Sequence, residues 1–458
     1  MIIIMKMLQL KFSNTSFYIL LISTTYILIY NIFHYSPILG YDAEAHFEYV
    51  NFLAMYLPEK LVLPSAQDTR EFFSPPIAYL FPATAQVICR NLINSSNYLV
   101  DCEPIYSKAT QIFQSILYIG TLFINLYTLK LFNRSEKLIN TGYLILVSLL
   151  AVNYRTFSMI RGEPYILFFM SLFLLLLYKA ELKGFKVDLK YTFSFGVLIA
   201  FLALSRQWAF LLFFPIIILA ITPKLKFRYR HFKFWLISSL IGALGSSWFY
   251  LSLFFNYGSF TSFNQSRTTF SFKNQPLDFY LPTLEQLTYL FSKPIRPYLD
   301  GHFLSILYAD LWGDYWGYFT FTSRFLDVGR NQAYIGDYLA RVNIASLITT
   351  LIILIFCLLT YKHFKESYFI KYMTISIFIS IFGYLIFAIS YIEDGSDTIK
   401  ASYIIQLFNL LVFLASVYFH KLRTLNKKVY NIVLTFLIII YIHNFQTYLS
   451  HFPINFYP

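Results

Sequence analysis

Apolar runs of roughly 17 to 22 residues recur along the whole chain, each long enough to cross a hydrocarbon layer about 30 Å thick. With 57% hydrophobic and only 13% charged residues, the chain is built for a bilayer rather than for water. The fold class expected is all-α, a multi-pass transmembrane helical protein of about eleven spans. Residues 1–458 read as a single integral membrane domain. Lys6 and Lys11 precede the first apolar run and no small-residue cleavage site follows it, so that run reads as a retained anchor.

A net charge of +13 would suit a polyanion partner, but the distribution of charge excludes nucleic acid as its explanation. Of the 36 Lys and Arg, 21 fall in short connecting segments on one predicted side. Those segments total about 70 residues against about 190 on the other side, a roughly fourfold difference in basic density. The asymmetry is the positive-inside pattern. The 51 Phe and 39 Tyr suggest sugar-stacking surfaces, yet Ile, Lys and Asn are abundant too, and AT-rich codons account for all five.

The charge pattern also orders the chain. The first span, about 16–34, runs outward and is followed by a long outer loop, 35–109. Within it Phe47, Val50, Ala54 and Leu57 fall on one helical face and Glu44, Glu48 and Asn51 on the other. This predicts a helix lying flat at the membrane surface. Cys89 and Cys102 lie in the same loop, either as a disulfide or as two free thiols. Spans at about 110–131, 138–152 and 165–178 follow. Residues 191–221 are too long for one crossing and short for two, but both flanks are basic. A hairpin is therefore expected, with Ser205-Arg206-Gln207-Trp208 at its outer tip. After a span at about 234–255 comes a second outer segment, 256–342. Four last spans lie at about 343–360, 372–391, 401–419 and 429–448.

The acidic residues of interest gather on the outer side. Tyr41-Asp42-Ala43-Glu44-Ala45-His46 follows the first span, Glu163 lies in the second outer turn, and Asp310 and Asp314 lie in the later segment. Asp42 also fits a helix N-cap, a position Asp favours because its side chain accepts orphan N–H groups. A second distinctive stretch is Glu71-Phe72-Phe73-Ser74-Pro75-Pro76-Ile77-Ala78-Tyr79-Leu80, whose double proline predicts an extended segment running into a helix.

These motifs together resemble the GT-C class of membrane glycosyltransferases. The branch resembled is that of protein O-mannosyltransferases and bacterial lipid-A aminoarabinose transferases, the glycosyltransferase 39-like group. Arg161-Gly162-Glu163-Pro164, the Arg206 tip and the run from Tyr308 to Tyr318 extend the likeness. Related chains often carry His before the double proline, where this one has Ser74.

The resemblance implies inverting transfer of a sugar from a polyprenyl-phosphate donor to a glycan, lipid or protein acceptor. It implies a site on the outer face of a bacterial inner membrane, with Asp42 as the catalytic carboxylate and Glu44 beside it. The chemistry suits the residues. A carboxylate can take the acceptor hydroxyl's proton, and planar Arg suits a departing phosphate. Arg161, Arg206 and Arg267 are the outer cationic candidates, with Lys293 and Arg296 behind them. His46, Asp310 and Asp314 complete the substrate-binding set. The two aspartates suit sugar hydroxyls, a divalent cation, or bracing of their own loop; no other cofactor is implied.

Two other classes suit a chain of this kind. A lipid-linked glycan polymerase or ligase would carry a late outer loop rich in Arg and His, and here the second outer segment has only His302. A lipid or glycan transporter would carry mid-span charges or a visible repeat.

Overall fold

The computed structural model describes residues 15–93, 98–132, 141–186, 188–221, 228–261, 263, 268–320, 328–392 and 398–450. Among them every regular element is helical and none is a strand. The principal helices are α1 (Thr15–His34), α2 (Ala43–Tyr56), α3 (Ile77–Ile93), α4 (Tyr98–Phe132), α5 (Thr141–Ser148) and α6 (Ala151–Ser158). They continue as α7 (Glu163–Leu182), α8 (Leu189–Ser205), α9 (Phe214–Ile221), α10 (Arg228–Tyr257) and α11 (Phe303–Trp312). The last are α12 (Val328–Phe364), α13 (Tyr368–Ser390), α14 (Ile405–Leu425) and α15 (Lys427–His443).

Seven helices are long and apolar enough to cross a membrane, fewer than the eleven expected. The other four expected crossings are the short ones. Of residues 138–152, the described ones from 141 onward form no continuous helix, because it is interrupted between α5 and α6, eight residues each. The two arms of the 191–221 hairpin are α8, of 17 residues, and a 3-10 turn leading into α9, of eight. The last crossing is α15, of 17 residues. Every side chain of α5 and α6 is buried, so protein rather than lipid surrounds these short pieces.

The outward surface of the long helices carries the membrane signature. On α1, Phe17, Leu20, Thr24, Ile27, Leu28 and Asn31 are buried, while Ile19, Ile22, Tyr26, Ile29 and Phe33 are exposed. On α15 the buried Tyr430, Leu434, Leu437 and Tyr441 repeat at helical spacing, and the opposite face exposes Ile432, Phe436, Ile439 and Ile442. A helix apolar on both faces needs an apolar solvent on one of them. The protein is an integral membrane protein.

At the expected hairpin the helix breaks at Arg206, where α8 ends in extended backbone and a 3-10 turn of residues 207–212 follows. Ile199 and Ala203 of α8 line one crevice with Phe213 and Ile216. Helix α8 packs closely on α10. A Cβ at Gly196 would lie 2.5 Å from Ile241, and one at Gly242 would lie 2.4 Å from Ile199. Small residues at such contacts let helix backbones approach within a membrane.

Two departures concern the first outer loop. The helix expected to lie flat on lipid instead buries Phe47, Val50 and Ala54 in protein, together with Tyr49 and Leu53, and packs on α3. Glu44 and Glu48 are exposed as expected, but Asn51 is half-buried and accepts bonds from Gln86 (2.7 Å) and Tyr106 (3.3 Å). The loop also ends earlier than expected, since α4 begins at Tyr98. Cys102, within α4, is joined to Cys89 of α3 by a disulfide.

The two ends of the bundle differ in character. At one, Glu181 closes the start of α13 by accepting from Tyr368 N (2.8 Å) and Phe369 N (2.9 Å). At the other, the loops after α1, before α7, after α8 and before α14 bring their charged residues together. We expect Gly196→Ala to destabilise the protein by about 1–3 kcal/mol through overpacking against α10. An unchanged unfolding temperature in detergent would show that the two helices are not in this contact.

Candidate functional site

The site begins with an unusual backbone. Asp42 precedes α2 with φ 58° and ψ 11°, in the left-handed region that Asp tolerates better than bulkier residues do. It occupies the N-cap position, yet its side chain caps nothing. The N-cap position is as expected, but the cap bond expected with it is not made. The carboxylate instead meets Lys400 Nζ at 2.8 Å and the Tyr403 hydroxyl at 3.5 Å. About a third of the side chain stays open, 32%, whereas Lys400 is 9% exposed. Burial alone would raise the Asp42 carboxyl, but Lys400 and Arg161 outweigh it and hold it well below the usual carboxylate range.

Beside this pair runs a buried chain of alternating charge. Arg161 Nε lies 3.4 Å from Glu163 Oε2, and Glu163 Oε1 lies 3.4 Å from Arg206 Nε. An Arg206 terminal nitrogen then meets Glu71 Oε2 at 2.7 Å. Ser74 bonds through its hydroxyl to both Glu71 and Arg206. Buried Phe72 and Phe73 hold this segment against Ala203 and Leu204 of α8 and Phe249, Tyr250 and Leu253 of α10. Burial would raise Glu71, yet Arg206 brings it down to about 2, so it is ionised at neutral pH.

Gly162, between Arg161 and Glu163, touches the hairpin tip directly. A Cβ there would lie 2.3 Å from the Ser205 carbonyl oxygen. This close approach brings the turn before α7 and the Arg206 tip into one cluster.

Aromatic rings fill the remaining space. The Arg161 guanidinium lies over the Tyr41 ring at 4.4 Å and the Tyr403 ring at 5.6 Å, and Arg206 lies over Tyr403 at 5.9 Å. The Tyr41 hydroxyl bonds Ser402 at 2.6 Å. His46 is buried, with Nδ1 2.7 Å from the Tyr79 hydroxyl and 4.0 Å from Glu71. Burial first, then Arg161 and Arg206, brings its imidazole down to about 4, so it is neutral at pH 7. Buried nitrogens without hydrogen-bond partners include His46 Nε2 and Arg161 Nη2.

Of the expected site residues, Asp42, His46, Arg161 and Arg206 come together. Glu44 does not join them: it is exposed on α2, and its side chain has no hydrogen-bond or ion-pair partner among the described residues. Arg267 lies outside the described residues. Asp310 and Asp314 are fully buried around Arg155, with Asp310 Oδ1 at 2.8 Å and Asp314 Oδ1 at 3.6 Å. Their other oxygens accept from backbone, Asp310 from Ala401 N (2.6 Å) and Asp314 from Phe319 N (2.9 Å) and Thr320 N (2.7 Å). Here they brace loops, the last of the three roles open to them in the sequence. No group of three or more His, Cys, Asp or Glu able to hold a metal occurs among the described residues.

Four participants were not assigned from the sequence: Glu71, Arg155, Lys400 and Tyr403. Glu71 stood within a quoted motif without a role. Lys400 did leave a signal, as a cation abutting an apolar run on the side where the positive-inside rule disfavours one.

An apolar crevice of about 650 Å³ adjoins the cluster, lined by Trp208, Phe210, Ile386, Phe387 and Tyr391 among others. Trp208 also stacks on Tyr403, ring centres 5.5 Å apart. No known protein-family model and no curated protein matches this chain.

Removing Arg155 leaves two buried carboxylates without a countercharge. Arg155→Met should cost about 3–5 kcal/mol of stability, visible as a lowered unfolding temperature. Arg155→Lys, which keeps the charge but loses the fork, should fall between the two.

Proposed function

We propose that the protein is an inverting membrane glycosyltransferase. It moves a sugar from a polyprenyl-phosphate donor to an acceptor hydroxyl, with Asp42 as the base. The observation that carries this reading is the state of Asp42. Its backbone is left-handed, its carboxylate is not used by the helix it precedes, and it stays partly open beside a set of cations. Unusual backbone retained at a charged pocket is a mark of function rather than of packing.

The acceptor hydroxyl attacks the anomeric carbon as Asp42 takes its proton. The new carbon–oxygen bond forms while the bond to phosphate breaks on the opposite face, and polyprenyl phosphate departs with the electron pair. Negative charge grows on the phosphate as it leaves. Arg161 has a buried N–H without a partner, and Lys400 lies beside it, so both are suited to meet that charge. Neutral His46 borders the same space. The crevice beyond Trp208 is apolar and of a size to receive the first isoprene units of the carrier.

Sidedness fits the same reading. The described basic connecting segments, at 179–186, 362–371 and 421–428, lie at the opposite end from Asp42, which favours an extracytoplasmic site, on the periplasmic side of a bacterial inner membrane. The Cys89–Cys102 disulfide, at the Asp42 end, suits an oxidising compartment.

The test is complementation of a deletion strain, read by mass spectrometry of envelope glycans and lipids. The wild-type gene should restore a glycan missing from the deletion strain. Asp42→Asn, inserted and folded, should lower its formation by about 10²–10⁴-fold. Glu44→Gln should restore it to near the wild-type level. Full restoration by Asp42→Asn would remove this carboxylate from the chemistry.

A further inference from the structure

We infer that Lys400 exchanges anions: it holds Asp42 while the site is empty and moves to the donor's phosphate when one binds, freeing the base only in the loaded site. The inference rests on the transferase reading and concerns regulation of the same site.

The geometry poses a problem for any base at this position. Lys400 Nζ is 2.8 Å from Asp42 Oδ2, and a carboxylate paired so closely accepts a proton poorly. Something must separate the pair before catalysis. The backbone of Lys400 cannot readily move, because the Tyr384 hydroxyl accepts from Lys400 N (2.5 Å) and donates to Lys400 O (3.0 Å). The side chain is a different matter. Its ammonium sits among three rings, 4.9 Å from Tyr41, 5.3 Å from Tyr403 and 5.6 Å from Trp316. Aromatic faces let a cation shift by a few ångströms without losing favourable partners, and lysine's flexible stem permits such a swing.

The destination is also marked. Arg161 lies over the same Tyr41 ring at 4.4 Å, so two cations converge on it, and Arg161 Nη2 has no acceptor. An anion entering here would bond to Arg161 and compete with Asp42 for Lys400. The donor's phosphodiester matches a carboxylate in charge and adds Arg161 as a shared partner; once the sugar leaves, the polyprenyl phosphate becomes a monoester of higher charge and holds Lys400 more strongly. The consequence is economical. Without donor the carboxylate stays masked; with donor it is released beside the bond to be made.

The test is binding of undecaprenyl phosphate to the full chain in phosphatidylcholine nanodiscs, with undecaprenol as the control. Lys400→Met should weaken binding about tenfold, and Asp42→Asn, which frees Lys400, should tighten it about fivefold. The gain from Asp42→Asn should vanish in the Lys400→Met background. If it persists there, loss of a negative charge alone explains it and the exchange is overturned. If Asp42→Asn does not tighten binding at all, the exchange also fails. If Lys400→Met does not fold, Lys400→Gln carries the same comparison. Equal binding of undecaprenol and undecaprenyl phosphate by the wild type would instead overturn the donor class itself. Phosphate binding that ignores residue 400 would overturn only the inference about Lys400.

Discussion

Charges withdrawn from water must be matched, and this requirement organises the Asp42 end of the protein. Arg161, Glu163, Arg206 and Glu71 alternate in sign through buried space, and Arg155 stands between Asp310 and Asp314. Arg161 and Glu163 arrive on the turn into α7, Arg206 after α8, Glu71 ahead of α3, and Arg155 and Asp310 on α6 and α11. Loops from far-apart parts of the sequence are thus held in one register by their need for countercharge. Buried pairs of this kind contribute little net stability, yet breaking one is costly, so they fix an arrangement more than they strengthen it. Within that frame Asp42 and Lys400 form the pair that keeps some access to the outside.

Aromatic residues have a second role here. Their abundance in the sequence has a sufficient explanation in nucleotide composition, and most of them simply pack. At the site, however, Tyr41 and Tyr403 separate cations that would otherwise repel, each presenting an electron-rich face to more than one of them. Trp208 carries the same wall into the apolar crevice. The boundary between charge and grease is therefore made of rings, which tolerate both.

Much of the architecture was legible because the bilayer imposes simple rules. Long apolar runs gave the spanning helices, and the length of 191–221 with basic flanks on both sides pointed to the break that the helix makes at Arg206. Short segments were less legible. Apolarity alone does not distinguish a helix facing lipid from one enclosed by other helices, and α5 and α6 are enclosed. The same ambiguity misplaced α2, whose apolar face suits a membrane surface and a protein neighbour equally. The site was half legible. Asp42 and the arginines stood beside motifs, but Lys400 is separated from Asp42 by 358 positions, and no local pattern links them. The cysteines allowed two readings until α3 and α4 were placed side by side.

Gly162 sets a spacing that no side chain can share. With only a hydrogen between the turn and the Ser205 carbonyl, two loops from opposite sides of α7 and α8 behave as a single shelf. Any larger residue there would act as a wedge, parting the guanidinium groups of positions 161 and 206 while leaving every charged residue in the sequence untouched. The smallest residue in the cluster thus governs how far apart its two largest cations stand.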